Sequence, residues 1–185
     1  MGNVIVVQFI TLDGVVEDPD GSDGTDFGGW AMRHGPEVIA ADPFGLTQVL
    51  ENGTLLLGRH MWEHFTKLWP GRDDPFSRTM NAAPKAVASR SLTDTTAWSN
   101  SQVISGDLID WVRKTAAAQD VVVMGSGSVV TQLQEAGLVG EYRLLQFPTA
   151  VGGGRRLFTG LEHLEMTGAK QQGPVVRTTY AASAR

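Results

Sequence analysis

The hydrophobic positions of the chain follow two rhythms. Residues 3–10, 54–57 and 121–124 are nearly continuous apolar runs rich in valine, isoleucine and leucine, the mark of strands buried on both faces. Elsewhere apolar residues recur at helical spacing. Met61, Phe65 and Leu68 share one face of a helix predicted over 59–69, which Pro70 and Gly71 stop. Leu108, Trp111 and Val112 line a second helix, for which Asp107 is the cap. Val129, Val130 and Leu133 point inward from a third over 125–136, with Gly137 at the closing position and apolar Leu138 behind it. A helix is also expected over 36–52, interrupted at Asp42-Pro43 and ended by Asn52-Gly53, with Phe44, Leu46, Val49 and Leu50 as its apolar side. Residues 85–89 and 102–105 read as short strands, and 141–147 and 175–181 as the last two. Residues 11–29, rich in Asp, Gly and Pro, read as a long loop pinned by Phe27 and Trp30, of the length that usually marks a functional lid. The stretch 72–83 reads as a polar connection, and the glycine-rich stretch before the last strand offers no long helix.

Strand and helix alternate over three-quarters of the chain and give way to strands at the end. This order predicts one α/β domain of three layers, α/β/α, with a mainly parallel central sheet and antiparallel C-terminal strands. No internal repeat, low-complexity tract or linker interrupts it.

Composition narrows the chemistry. At 185 residues a single core buries roughly 70% of the unfolded surface, so no disulfide or structural metal is needed. The absence of cysteine removes thiolate metal sites and cysteine nucleophiles and suits a reducing cytoplasm. A net charge of -5 argues against a nucleic-acid partner, which would call for a basic face. The N-terminus has no basic region, and no apolar stretch approaches the ~18 residues that span a bilayer, so a soluble cytoplasmic protein is expected. Asn52-Gly53-Thr54 matches a glycosylation sequon but reads as a turn. Glycine is in surplus, 22 residues, about 12% against a usual ~7%.

Part of that surplus lies where chemistry is expected. Three segments share one design, an apolar strand ending in glycine or serine before a turn: Leu57-Gly58-Arg59-His60, Ala88-Ser89-Arg90 and Met124-Gly125-Ser126-Gly127-Ser128. In a parallel sheet all three fall at the carboxyl edge, where ligands bind in open α/β folds. Glycine there admits phosphate oxygens to backbone N–H groups, and Arg59, His60 and Arg90 add side-chain donors. Gly125-Ser126-Gly127 lacks the third glycine of a dinucleotide fingerprint, since Val130 stands there, and each segment alone reads equally as an ordinary β-to-α turn. A rival sits in the same region: His60-Met61-Trp62-Glu63-His64 spells H-x-x-E-H, an inverted zinc-protease motif, but Met61, Trp62 and Phe65 are needed for packing and no third ligand is evident. No metal site is expected. The acidic residues Glu17, Asp18, Asp20, Asp23 and Asp26 lack the spacing of a calcium loop and read as solvated. No nucleophile elbow for a serine hydrolase occurs.

These residues carry a family resemblance. Gly58-Arg59-His60-Met61-Trp62-Glu63 resembles the G-R-x-T-[WY]-E segment of dihydrofolate reductases and their relatives. Thr11-Leu12-Asp13-Gly14-Val15-Val16 resembles the S-L-D-G-x-[IV] loop of the reductase domain at the C-terminus of RibD-type riboflavin-biosynthesis proteins. Gly125 to Ser128, Leu133 and Gly137-Leu138-Val139 resemble a later region of the same family, and Pro148, Gly152, Gly154 and Leu157-Phe158 its ending. The resemblance runs from about Asn3 to Tyr180 and implies a dihydrofolate reductase-like fold that binds NADPH. It implies further that Arg59, Ser89 and Arg90 face the adenosine 2′-phosphate, that the turn of Gly125, Ser126 and Gly127 and the N–H of Ser128 take the pyrophosphate, with Met124 also in the cofactor site, and that His60 and Met61 add phosphate contacts. Thr11, Asp13 and Val16 would edge the nicotinamide and a small-molecule substrate, with Asp13 the candidate for orienting substrate or relaying a proton.

The chain departs from the family at Met61, where threonine is common, at Ser126, where glycine is, and at Gly140, where aspartate is. The carboxylate that handles a pterin ring has no secure counterpart among Asp26, Glu37 and Asp42. Two functions remain: an NADPH-dependent reductase of a small heterocycle or carbonyl, resembling the pyrimidine reductase of riboflavin biosynthesis, and a catalytically silent binding or dimeric interaction module on the same fold. A homodimer is compatible with the resemblance, and nothing in the composition demands one.

Overall fold

The computed structural model describes residues 2–182. Strands and helices alternate as β1 (Val4–Ile10), α1 (Thr47–Leu50), β2 (Thr54–Gly58), α2 (Arg59–Phe65), α3 (Pro75–Ala82), β3 (Lys85–Ala88), β4 (Ser101–Val103), α4 (Leu108–Ala116), β5 (Val121–Val123), α5 (Gly127–Glu135), β6 (Glu141–Gln146), β7 (Leu164–Gln172) and β8 (Val175–Ala182). The eight strands are ordered β4-β3-β2-β5-β1-β6-β8-β7. Neighbours from β4 to β1 pair in parallel, for example Leu56 with Ala86 and with Val123. The Gly140 N–H bonds the Val4 carbonyl and the Phe147 N–H the Ile10 carbonyl, so β6 also advances with β1. The C-terminal β7 and β8 are antiparallel, with a register shift between Met166 and Gly168. This is the α/β class with a mainly parallel sheet and an antiparallel ending that the strand pattern predicts.

Contacts divide the described residues into two compact units, one of 2–6 and 45–141, the other of 7–44 and 142–182. In the first, the core is aliphatic: Leu55, Leu56, Leu57, Val121, Val122 and Val123 are fully buried in the sheet, and Val112, Val130 and Leu133 face it from α4 and α5. Helix ends follow the expected chemistry. The Asp107 carboxylate accepts from the Ile109 and Asp110 N–H groups at the start of α4. At the end of α5, Gly137 adopts φ +63, its N–H bonds the Gln134 carbonyl, and the Leu138 N–H reaches back to Leu133.

Four elements differ from the sequence expectation. The helix expected over 36–52 is reduced to a 3-10 turn at Pro36–Val38 and the short α1. The polar connection 72–83 contains α3, capped by Asp74, with Phe76 and Met80 one turn apart on its buried side. The stretch before the last strand contains β7, nearly all of it exposed. The helix expected to Trp69 ends at Phe65 and continues as turns.

In the second unit, an aromatic group of Phe9, Trp30, Phe44 and Phe147 packs at 5.4–5.5 Å between ring centroids. The loop expected over 11–29 is not a loose acidic segment. It winds around Asp18, which is 2% exposed and whose carboxylate accepts from the N–H groups of Asp23 and Thr25 and from the Thr25 hydroxyl at 2.8–2.9 Å. Burial alone would raise its pKa, and these donors reverse that and hold it lowered. Trp30 closes the loop by donating its indole N–H to the Glu17 carbonyl.

Candidate active site

Parallel pairing of β3, β2 and β5 carries their following turns to one edge, side by side, as the three strand-turn segments require. Gly58 and Ser126 are the closest point. A Cβ on Gly58 would collide with the Ser126 hydroxyl and lie 2.9 Å from its Cβ and backbone N, so only glycine fits. The Gly58 N–H bonds the Gly125 carbonyl at 2.9 Å and locks the two turns together. The peptide between Gly125 and Ser126 is cis. Ser126 caps α5 with its carbonyl, accepting from Val129 and Val130, while its side chain makes no capping bond. The N–H groups of Gly127 and Ser128 have no partner among the described residues and are left for an acceptor.

Side chains add positive charge to this edge. Arg59 is half-exposed, and its Nε donates to Glu63 Oε1 and its Nη1 to Ser91 Oγ, both at 2.7 Å, which fixes the guanidinium while leaving further N–H donors open. The Ser89 hydroxyl takes part in its own turn and keeps its O–H as a donor. Its oxygen accepts from the Ser91 and Leu92 N–H groups and shapes the turn. Arg90 is exposed at the tip of that turn, His60 is exposed, and Met61 and Met124 are half-buried beside the glycine turns. Unpaired N–H groups at a helix start with two arginines on adjacent turns suit a phosphorylated cofactor. Among the described residues no group of three or more His, Asp or Glu is arranged to hold a metal.

Thr11, Asp13 and Val16 lie in the second unit and form a clasp. The Asp13 carboxylate accepts from the Thr11 hydroxyl at 2.6 Å, the Gly152 N–H at 2.8 Å and the Val151 N–H at 3.3 Å. The Thr11 hydroxyl, then the Gly152 N–H, hold its pKa down to about 2. Around it, Leu12 bonds Thr149, Val16 bonds Arg155, Leu157 bonds Gly14, and Arg156 Nε donates to the Asp13 carbonyl. Thr11 is buried and its hydroxyl also accepts the Val15 N–H, so it serves the turn. Asp13 is therefore an ionised acceptor that organises residues 149–157.

Sequence reasoning missed the groups that bring this about: Ser91 and Glu63 around Arg59, and His34, whose Nε2 lies 3.0 Å from the Thr149 hydroxyl. Glu63 was readable as the i+4 partner of Arg59. Ser91 and His34 belong to no periodic pattern or motif.

The first unit is thus a parallel α/β sheet whose carboxyl edge carries glycine turns and arginines side by side. The family model of the RibD C-terminal domain matches residues 3–177, and the chain belongs to that family. Among solved structures, a protein named for riboflavin biosynthesis from Shewanella sp. PV-4 is similar with a TM-score of 0.74 at 19% identity, covering 98% of this chain and 99% of that one. A pyrimidine reductase-like protein from Corynebacterium diphtheriae gives 0.66 at 10% identity, covering 98% and 92%. RibD of Acinetobacter baumannii gives 0.67 at 13% identity, covering 99% of this chain but 58% of that one. These likenesses show the shared fold. No curated protein sequence matches.

Proposed function

We propose that the protein is an NADPH-dependent reductase of a small heterocyclic or carbonyl substrate, akin to the 5-amino-6-(5-phosphoribosylamino)uracil reductase of riboflavin biosynthesis. Membership of the RibD C-terminal domain family supports a reductase-type function. The observation that carries the cofactor reading is the edge formed by Gly58, Gly125 and Ser126, with the free N–H groups of Gly127 and Ser128 and with Arg59 and Arg90 beside it. There the N–H groups would take the pyrophosphate and the two arginines the 2′-phosphate. The cofactor, when bound, supplies the hydride. Asp13, ionised and aimed at the backbone of residues 151–152, orients the substrate side and is not a proton source.

A fluorescence titration should show NADPH binding at low micromolar concentration, and Arg59→Ala with Arg90→Ala should weaken NADPH far more than NADH. Absence of NADPH binding would sink the reading. The second reading, a silent binding module, is favoured by Met61 and Ser126 at positions where the family carries threonine and glycine, and cofactor binding without turnover would select it. We further propose a cytoplasmic location, in keeping with the family reading; no described helix is long and apolar enough to cross a membrane. Its partner is a small-molecule substrate, not nucleic acid or a membrane, and a homodimer, tested by sedimentation, is compatible with the family.

A further inference from the structure

Strand β7 ends the sheet, so the outer edge of its nine residues has no strand beside it among the described residues. An exposed edge of that length is a template for pairing with another strand. Its pairing with β8 fixes which side chains share a face. Glu165 stands opposite Ala181 and Met166 opposite Tyr180; across the register shift at Thr167, Gly168 stands opposite Thr179, Ala169 opposite Thr178 and Lys170 opposite Arg177. Alternate positions of β8 face opposite ways, so Glu165, Gly168 and Lys170 lie on one face and Met166 and Ala169 on the other. Lys170 and Arg177 are like charges directly across a strand pair, which is destabilising unless a carboxylate joins them. Neither side chain has a partner among the described residues, and nor has that of Glu165. Glu165, Met166, Ala169 and Lys170 are all exposed, Met166 at 56%.

We propose that β7 is a dimerisation strand, which pairs antiparallel with β7 of a second copy of this chain about a two-fold axis at Gly168. With Thr167 passed over as the extra residue, that register sets Gly168 against the partner's Gly168, Glu165 against the partner's Lys170 and Met166 against the partner's Ala169. Two-fold symmetry repeats each of the last two pairs. Residues opposite one another then share a face, as an antiparallel ladder requires. Each Lys170, left beside Arg177 in its own chain, gains a carboxylate, and each Glu165 gains a cation. Charge also selects the register. Among the face-matched antiparallel registers of β7 with itself, this one alone opposes Glu165 to Lys170, and the others oppose each to its own kind or to an uncharged position. Every residue involved lies in the second unit, and the pairing is independent of the cofactor reading. It gives the homodimer proposed above a defined surface.

The test is sedimentation of the full chain without cofactor, in which the native protein should run as a dimer. Glu165→Lys and Lys170→Glu each set like charges opposite one another at both repeats. Each should weaken dimerisation by roughly 10–100-fold with native circular dichroism, and the double reversal should restore the dimer. Gly168→Cys gives a second readout. The φ of Gly168 is not positive and a Cβ there meets only Thr179, at 3.8 Å, so a side chain is admitted. The chain has no cysteine of its own, so mild oxidation should trap a covalent dimer through the introduced thiols, read by non-reducing electrophoresis and peptide mass. A dimer that neither single reversal weakens, or that the double reversal does not restore, overturns the proposal and leaves a homodimer through another surface; so does a dimer that oxidation of the Gly168→Cys protein does not trap. A native monomer overturns the proposal and the homodimer together.

Discussion

At the scale of single residues, Gly58 has no room for a side chain. Its missing side chain is what lets the β5 turn close against it, so Gly58→Ala forces Ser126 and its backbone to move. We expect a loss of about 1–3 kcal/mol, read in thermal unfolding, together with weakened NADPH binding. Adding Ser126→Gly should recover only part, because the backbone nitrogen remains 2.9 Å from the new Cβ. Asp13 makes a prediction in acid. Its pKa is lowered to about 2, so the clasp contributes stability above the ordinary value of 3.8 and loses it as pH falls through about 2. In a carboxyl NMR titration Thr11→Val should move that midpoint upward, since the Thr11 hydroxyl is the foremost cause of the shift.

At the scale of elements, the buried carboxylate of Asp18 holds residues 18–29 in one path. Asp18→Asn replaces one acceptor with a donor facing other donors, and should cost about 1–3 kcal/mol and raise hydrogen exchange in that loop alone. Lys85 opens β3 at 2% exposure, donating to the carbonyls of Asn81 and Ala83 above the ring of Trp98. Burial pulls its pKa down to about 8 from 10.5. Between those values the unfolded chain binds more protons than the folded one, so stability rises with pH there, and in denaturant melts Lys85→Met should remove that rise. What was legible follows the same physics. β1, β2 and β5 were plain because strands buried on both faces must be apolar throughout, and Asp107 and Gly137 because helix ends need particular atoms. β7 was hidden because an exposed strand needs no apolar code, only β8 to pair with. α3 was hidden because two buried residues, Phe76 and Met80, suffice to dock it. The loop around Asp18 was misread because a carboxylate buried by backbone donors has the same composition as a solvated one. The turns at Gly58, Ser89 and Gly125 were found from sequence, but the use of Ser89 to shape its own turn and the anchoring of His34 depend on contacts that no local pattern records.

At the scale of the whole molecule, a ligand held only by the folded state must stabilise it. NADPH at about 100 times its Kd should add about 2.7 kcal/mol, and for a chain of this size raise Tm by roughly 5–10 °C in calorimetry, with NADH giving less at equal concentration. The Asp13 clasp has a consequence for how the molecule comes into being. Its donors at Val151 and Gly152 lie 138 and 139 positions after the aspartate. A ribosome has already made every turn assigned to phosphate by the time it passes Ser128, yet the loop after β1 stays unclasped until residues 149–157 emerge. The growing chain therefore completes the turns proposed to hold a cofactor well before the Asp13 clasp can close.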